Sequence, residues 1–425
     1  MDRRKTLADD CFALPPGVDW TPVDVALARL REGMAPVAGI EPAPAAAALG
    51  RLLAAPVFAA RANPPGANAA VDGYGLAHAS LGADGAGDLQ LLAGRAAAGA
   101  PFGGAVPAGA ALRILTGALV PEGVDSIVMQ EDVTLTGGRL RFKPGLKPGA
   151  NLRRAGEDVA TGAEVLPAGR RLRAPDLALI AAVGVAEVLV FERLRVGVLS
   201  SGDELCAPGT ASAPHQTHDA NRPMLLAMMQ AFGHEPVDLG HVGDDPAALK
   251  SALDAGAARC DAIVTSGGAS AGDEDHLSAV ISAHGRLQTW RVAMKPGRPL
   301  ALGLWPAAQG RNLPVFGLPG NPVAACICTL VMARPALSVL AGGGWQQPAG
   351  LMLPAAFSKS KKAGRREYLR ARLNADGAVE TYHSEGSGRI AGLAWADGLV
   401  ELPDAAGTVA PGDRVRYFSF AEFGL

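Results

Sequence analysis

Thr265-Ser266-Gly267-Gly268-Ala269-Ser270-Ala271-Gly272-Asp273-Glu274-Asp275-His276 is the stretch on which the reading of this chain turns. A short apolar run at 262–264 precedes it and reads as a buried strand, and 277–284 after it reads as a helix. Glycines at a strand-to-helix junction let backbone N–H groups approach an anion closely. The helix start adds its partial positive charge. Asp275 stands at the rim, where a phosphate-bound magnesium ion would meet it. A lone glycine-rich turn of this kind is often purely structural, and its weight here comes from two similar loops in the same half of the chain.

From 194 onward the pattern alternates. Runs at 195–199, 235–239, 262–264, 290–293, 300–304 and 315–318 read as strands. Between them 225–232 and 246–253 carry helical spacing, and 321–340 reads as a long helix kinked at Pro335. Asp245 is the expected cap and Pro246 the first residue of its helix. Such alternation predicts a mostly parallel sheet with covered faces, and ligands of such sheets bind at the carboxyl ends of the strands. Three loops fall there: Ser200-Ser201-Gly202-Asp203-Glu204, the 265–275 stretch, and Gly317-Leu318-Pro319-Gly320-Asn321-Pro322. In the last, Asn321 is the expected N-cap and Pro322 the first helical residue, leaving free N–H groups for an anion. Lys295-Pro296-Gly297-Arg298-Pro299 places two cations three residues apart beside them.

Upstream, Thr21-Pro22-Val23-Asp24 predicts a helix start with Thr21 as N-cap and Pro22 in the first turn, and Val23, Leu27, Leu30 and Met34 form its apolar stripe. An Ala-rich second helix is expected over 43–53. From Asn63 the texture becomes rich in Gly and Pro, with β-like runs at 89–92, 111–115 and 126–130. Acids stand among turn formers or at strand ends: Asp72, Glu131 beside Asp132, and, after a basic loop at 143–154, Glu157-Asp158. That loop is either a solvated connection or a guanidinium cluster facing a phosphorylated ligand. The chain then resumes its Ala/Val/Leu-rich texture. The expected division is a discontinuous linking domain at 15–60 plus 151–192, an inserted β-rich domain at 61–150, an α/β domain at 193–341, and a β-barrel or sandwich at 345–425 after Gly342-Gly343-Gly344.

The 425 residues are 49% hydrophobic and 19% charged, enough for several cores, with a net charge of −2. That balance offers no footprint for nucleic acid, so an anionic ligand must be held locally. Five scattered cysteines argue against a disulfide framework, and Cys326 and Cys328 read as core packing. The charged first ten residues lack a signal-peptide apolar region, and no apolar run approaches the ~20 residues of a membrane span. A cytoplasmic protein with no membrane segment is expected. His215-x-x-His218 lacks a third ligand at zinc spacing, and Gly268-x-Ser270-x-Gly272 fits a phosphate loop better than a nucleophile elbow.

Taken together, Asp72-Gly73-Tyr74, Thr116-Gly117-Ala118, Gly156-Glu157-Asp158, Ser201-Gly202-Asp203-Glu204-Leu205, Asp219-x-Asn221, Ser266-Gly267-Gly268-x-Ser270-x-Gly272-x-x-Asp275, Lys295-Pro296-Gly297-x-Pro299 and Pro319-Gly320-Asn321-Pro322 resemble the molybdopterin molybdenumtransferase family. This is the family of bacterial MoeA and the C-terminal domain of gephyrin, and the resemblance runs from about residue 15 to the end. It implies a multidomain α/β fold with a molybdopterin-binding sheet domain, an inserted β-rich domain, a linking domain and a C-terminal β-barrel. It implies that adenylylated molybdopterin and molybdate yield molybdenum cofactor and AMP with Mg²⁺ required, in a homodimer whose active sites are shared between subunits. It also implies contacts with the upstream adenylyltransferase and with molybdoenzyme acceptors. Asp72, Thr116, Glu131, Asp158, Glu204, Asp219 and Asp275 match positions of catalytic importance, with Asp275 and Asp219 the implied metal ligands. Ser266, Gly267, Gly268, Ser270, Lys295, Arg298, Pro319, Gly320, Asn321 and Pro322 match substrate-binding positions. The chain departs from the family pattern at Arg298, where Lys is usual, at Ala324, and at Ala391-Gly392, where serines are common. An adenylyltransferase of the preceding step leaves the extra domains unexplained, and a non-catalytic scaffold leaves the retained acids unexplained.

Overall fold

The computed structural model describes residues 20–267, 276–297 and 299–425. The chain forms two compact units, one from residues up to Glu41 together with Phe191–Leu425, the other Pro42–Val190.

The larger unit is built on six strands in the order Glu235–Val242, Arg195–Ser201, Ala262–Ser266, Asn312–Leu318, Pro299–Pro306, Arg286–Arg291. The first four run parallel, and the last two add antiparallel. All of Ala262–Ser266, and all but the first residue of Arg195–Ser201, are buried, as strands covered on both faces must be. Asp245 caps the helix Pro246–Arg259 by accepting from Ala247 N–H at 2.9 Å. That helix turns Leu249, Leu253 and Ala257 into a core with Ile263, Ile281, Trp305 and Val315.

The long helix bears Pro335 without a sharp break. Its turns at Thr329–Ala333 are π-helical, between the α-helical Pro322–Cys328 and Arg334–Leu340. Proline cannot donate to the carbonyl four residues back, and the wider turn ahead of it absorbs the misfit. Pro322–Leu340 corrects the reading that no apolar run nears membrane-span length. It has 19 residues and a mean hydropathy of 1.9, but 89% of it is buried inside the protein, as in a core helix. Burial also pushes the Cys326 and Cys328 thiols up to about 12.

A second sheet of this unit joins Met294–Lys295, Arg366–Leu373, Gly398–Leu402, Arg414–Ser419 and Leu351–Pro354, with Val379–Thr381 paired to Arg366–Leu373. Beyond Leu351–Pro354 the chain meets Val379, since Ala355 bridges it and Ala356 N–H donates to Val379 O at 2.7 Å, so the pairing returns to the strand beside Arg366–Leu373. Met294–Lys295 lies parallel to Arg366–Glu367, so the lysine-bearing turn is an edge of this sheet.

Two N-terminal expectations change. The first helix spans Val23–Gly33 with Pro22 at the N-cap and no side-chain cap. Thr21 instead spends its backbone on pairing: its N–H donates to Arg291 O at 2.9 Å, and its carbonyl accepts from Ala293 N–H at 2.8 Å. Asp24 accepts from both terminal nitrogens of Arg366 at 2.8 Å, which holds its carboxyl below the ordinary value. This helix therefore packs within the larger unit. The expected second helix over 43–53 does not form. Ile40–Pro44 is a strand, followed by a single 3₁₀ turn. Pro42 and Pro44 interrupt the helical pattern, and Ala45 N–H is drawn to Ala186 O at 2.9 Å, so tertiary pairing overrides alanine's propensity.

The smaller unit holds a sheet ordered Ser126–Met129, Gly73–Leu76, Ala110–Ile114, Gly87–Ala96, Arg139–Phe142, Val133–Thr136. Alternation sends Leu112, Ile114 and Ile127 to one core and Ala111, Val128 and Leu140 to another. A third core joins Ala48, Leu53 and Val57 to Leu172, Ile180 and Val190, so residues on either side of the β-rich stretch pack together. Asp176 sits beside this core at 4% exposure. It accepts from Arg170 at 2.7 Å, and from Arg173 N–H at 2.9 Å and Nε at 3.3 Å. The Arg170 bond, reinforced by Arg173, lowers its carboxyl to about 2. A depressed folded-state value stabilises above the unfolded value of about 4 and is lost as pH falls through about 2. Asp176→Asn should therefore lower the melting temperature by several degrees at pH 7, with the gap to wild type closing as pH falls from 4 to 2. A gap independent of pH would show that packing, not charge, is lost.

Candidate functional site

The carboxyl ends of the three central strands lie level, since Ser200 pairs with Ser266 and Ser266 with Leu318. The loops leaving them touch. Gly267 adopts φ +94°, and a Cβ there would lie 2.1 Å from Ser201 O, so only glycine fits. Asn221 ties the second loop to the third: its Nδ2 donates to Ser266 Oγ at 2.6 Å and to Gly320 O at 2.7 Å. Ser200 Oγ, Thr265 Oγ1 and Asn221 Oδ1 are buried at this end of the sheet without a hydrogen-bond partner among the described residues. Buried polar atoms are nearly always paired, and this is the end where parallel sheets bind ligands. Asn221 stood in a quoted motif but outside the expected site residues, because its role depends on two loops remote from it in sequence.

Gly268, Ser270, Asp275 and Arg298 lie outside the described residues. Glu204 is exposed, beside Gly202. Asp219, the second expected metal ligand, is 3% exposed, and both its oxygens are engaged, accepting from Arg222 N–H at 3.1 Å and Nε at 3.2 Å. Arg222 in turn reaches Asp238 at 2.8 Å. Asp219 thus anchors the start of the helix Asn221–Ala231. Among the described residues no group of three or more His, Cys, Asp or Glu side chains is placed to hold a metal ion. His218 spends Nε2 on Thr210 O at 3.1 Å. The described residues therefore do not by themselves make a magnesium site.

In the third loop Asn321 takes the N-cap position, but its side chain makes no capping bond. Val323 N–H donates to Ser387 O at 3.1 Å. One of the N–H groups expected to be free for an anion is thus already satisfied, by the 384–390 loop. Arg370 pins that loop, donating to Arg389 O at 2.5 Å, to Gly386 O at 3.2 Å and to Ser384 O, while lying over the Tyr382 ring. Gly392 keeps that arrangement clear, because a Cβ there would meet Arg370 Nη1 and Tyr382 Cδ1 at 2.6 Å. That is a physical account of the missing serine.

Lys295 is not on a solvated turn. It lines a cavity of about 180 Å³ with Lys359, Tyr368, Arg370, Tyr382 and Glu385. Its Nζ donates to Glu385 at 2.6 Å, and Lys359 donates to the other oxygen of Glu385. Glu367 stands 3.2 Å from Lys359 and 3.9 Å from Lys295. Burial pushes the Lys359 ammonium down, but the two carboxylates outweigh it and raise it overall. Lys359, Arg370 and Glu385 were not among the expected site residues.

In the smaller unit, Asp72 Oδ1 accepts from Thr116 Oγ1 at 2.6 Å and Thr116 N–H at 2.8 Å. These bonds, the hydroxyl's first, hold the Asp72 carboxyl below its ordinary value. Gln130 N–H donates to Asp72 O at 3.1 Å, and the Gln130 side chain donates to Glu131 at 3.0 Å. Arg113 donates to Gln130 at 2.5 Å and lies over Tyr74. Asp72, Thr116 and Glu131 therefore share one cluster. Asp158 accepts from Asn63 Nδ2 at 2.9 Å.

Residues 21–184 match the MoeA N-terminal region (domain I and II). Residues 197–339 match a probable molybdopterin binding domain, and 353–420 the MoeA C-terminal region (domain IV). The molybdopterin molybdenumtransferase of Haemophilus influenzae is 35% identical over 83% of this chain and 87% of its own length. The molybdopterin molybdenumtransferase 2 of Mycobacterium tuberculosis is 33% identical over 88% of this chain and 93% of its own. A crystal structure of the molybdopterin biosynthesis MoeA protein from Pyrococcus horikoshii superposes with a TM-score of 0.81 at 25% identity, covering 94% of this chain and 99% of that one. With an order of motifs spanning the chain, a shared multidomain α/β fold and relatives of this similarity over most of its length, the chain belongs to the MoeA family of molybdopterin molybdenumtransferases.

Proposed function

We propose that this chain inserts molybdate into adenylylated molybdopterin, forming molybdenum cofactor and releasing AMP. Its place in molybdenum cofactor biosynthesis as a transferase follows from the family. The observation that carries the reading is the Asn221 clamp, which joins two loops at the ligand-binding end of the sheet within the region matching a molybdopterin binding domain. In this reading Ser266, Gly267, Gly268 and Ser270, with Pro319, Gly320, Asn321 and Pro322, hold the pterin and its phosphates. Lys295 and Arg298 neutralise molybdate, a tetrahedral dianion. Local cations must do this, because the net charge of −2 supplies no general attraction. Fixed donors aimed at the phosphoanhydride stabilise the charge that develops on departing AMP.

Asp72, Thr116, Glu131, Asp158 and Glu204 are proposed to complete the site, reached across a homodimer. Asp219, held in place by Arg222, is proposed as the second metal ligand beside Asp275. The magnesium requirement rests on the family and on Asp275, and no step here passes through the metal. The domain division at 15–60 plus 151–192, 61–150, 193–341 and 345–425, a C-terminal barrel, and a cytoplasmic location belong to the same proposal.

The test is purified protein with adenylylated molybdopterin and molybdate, with and without Mg²⁺. The expected result is molybdate-dependent AMP release and a product that activates an apo-molybdoenzyme. AMP release indifferent to molybdate, or no turnover, overturns the reading. Mixing Asp72→Ala with Asp275→Ala subunits should restore activity through one intact hybrid site. No recovery in verified heterodimers would place each site within one chain.

A further inference from the structure

We propose that Glu385 is a built-in counter-anion that makes the Lys295 cavity select doubly charged oxyanions; this rests on the reading of Lys295 given above. The Glu385 carboxylate lies across two ammonium groups, with one oxygen on Lys295 at 2.6 Å and the other on Lys359. A tetrahedral oxyanion would span the same two cations. The lysine side chains are only 15% and 14% exposed, whereas Glu385 is 39% exposed. The cations are thus held in place, and the carboxylate is the member with water beside it and room to leave. Glu367, 8% exposed, stays behind the lysines, so they keep one counter-charge when Glu385 swings out. Burial favours the neutral acid, but the two lysines outweigh it and hold the Glu385 carboxyl below its ordinary value, so a charged competitor occupies the seat at neutral pH. Arg370 is committed to the carbonyls of the loop that carries Glu385, so the backbone is held and the carboxylate would leave by turning its own side chain.

The selectivity follows from exchange. A tethered carboxylate competes at a high effective concentration, on the order of millimolar. A monoanion that replaces it offers the lysines the same charge, gives up its own translational freedom and gains nothing. A dianion brings roughly twice the Coulomb attraction into a partly buried site where salt screens weakly. The cavity therefore discriminates by charge among ions of one shape.

Molybdate and tungstate are tetrahedral dianions, and perrhenate is a tetrahedral monoanion. Equilibrium dialysis of the full chain with labelled molybdate should show competition by tungstate and none by perrhenate. In Glu385→Gln, molybdate should bind about tenfold tighter, and perrhenate should now compete. Lys359→Met should weaken molybdate binding in a protein that still folds, though it melts lower because Glu367 loses its nearer cation. Should Glu385→Gln fail to fold, Glu385→Asp, too short to span both lysines, is read in the same way. Unchanged or weaker molybdate binding without perrhenate competition would overturn the proposal and leave the molybdate reading of Lys295 standing. Folded wild type and variant that both ignore molybdate would overturn the two together.

Discussion

Gly267→Ala should leave a folded protein with about hundredfold lower activity. At φ +94° an alanine is strained by about 1–3 kcal/mol before any contact is considered. Its Cβ would also lie 2.1 Å from Ser201 O, a backbone atom of the neighbouring loop. Neither partner is a flexible side chain, so the two loops must part. Gly320 also lies against Gly267, with 3.8 Å between its Cβ position and Gly267 Cα, so the third loop shifts as well if Gly267 moves. A displacement of about an ångström in a positioning loop costs roughly a hundredfold in rate. Gly209→Ala is the comparison: its φ is +83°, but nothing lies within 4 Å of its Cβ position. It carries the backbone strain without the collision and should lose stability but keep activity. Melting curves and AMP-release kinetics on both variants decide the matter. Equal activity losses would mean that strain alone is responsible, and full activity in Gly267→Ala would remove the loop from the site.

Lys295→Ala should raise the molybdate concentration needed for half activity about ten- to a hundredfold, with less change in binding of adenylylated molybdopterin. Charge-assisted contacts are worth roughly 1.5–3 kcal/mol, which converts to that range. Lys295 is only 15% exposed and partnered by Glu385 and Glu367, so its removal also leaves two carboxylates sharing Lys359. That surplus negative charge opposes a dianion further. High molybdate should rescue the variant, and molybdate titration of AMP release is the measurement. An unchanged requirement, or loss of pterin binding instead, would move Lys295 to the nucleotide end of the site.

The sequence by itself determined what depends on local chemistry and on motif order. The buried strands Arg195–Ser201 and Ala262–Ser266 announce themselves as apolar runs, and the start of Pro246–Arg259 is written in Asp245 and Pro246. The positive φ at Gly267 is a local demand for glycine, whereas the contact with Ser201 O that also bars a side chain there comes from a remote loop. Motifs in one order along the chain carried the family.

What only the tertiary structure decided lies in contacts between residues remote in sequence. Lys295 and Glu385 are 90 positions apart, and Asn221 reaches partners 45 and 99 positions away. No periodicity encodes such pairs, because each side chain's role is set by an element folded elsewhere. The same cause held the alanines at 45–47 to one 3₁₀ turn in place of an α-helix, where pairing with 186 outweighed propensity, and brought Val23–Gly33 to Arg366. It also gave Asp219, an expected metal ligand, Arg222 as its partner. Helix and strand preferences amount to tenths of a kcal/mol per residue, and burying a charge without a partner costs several kcal/mol. Where the two conflict, packing and charge pairing set the outcome.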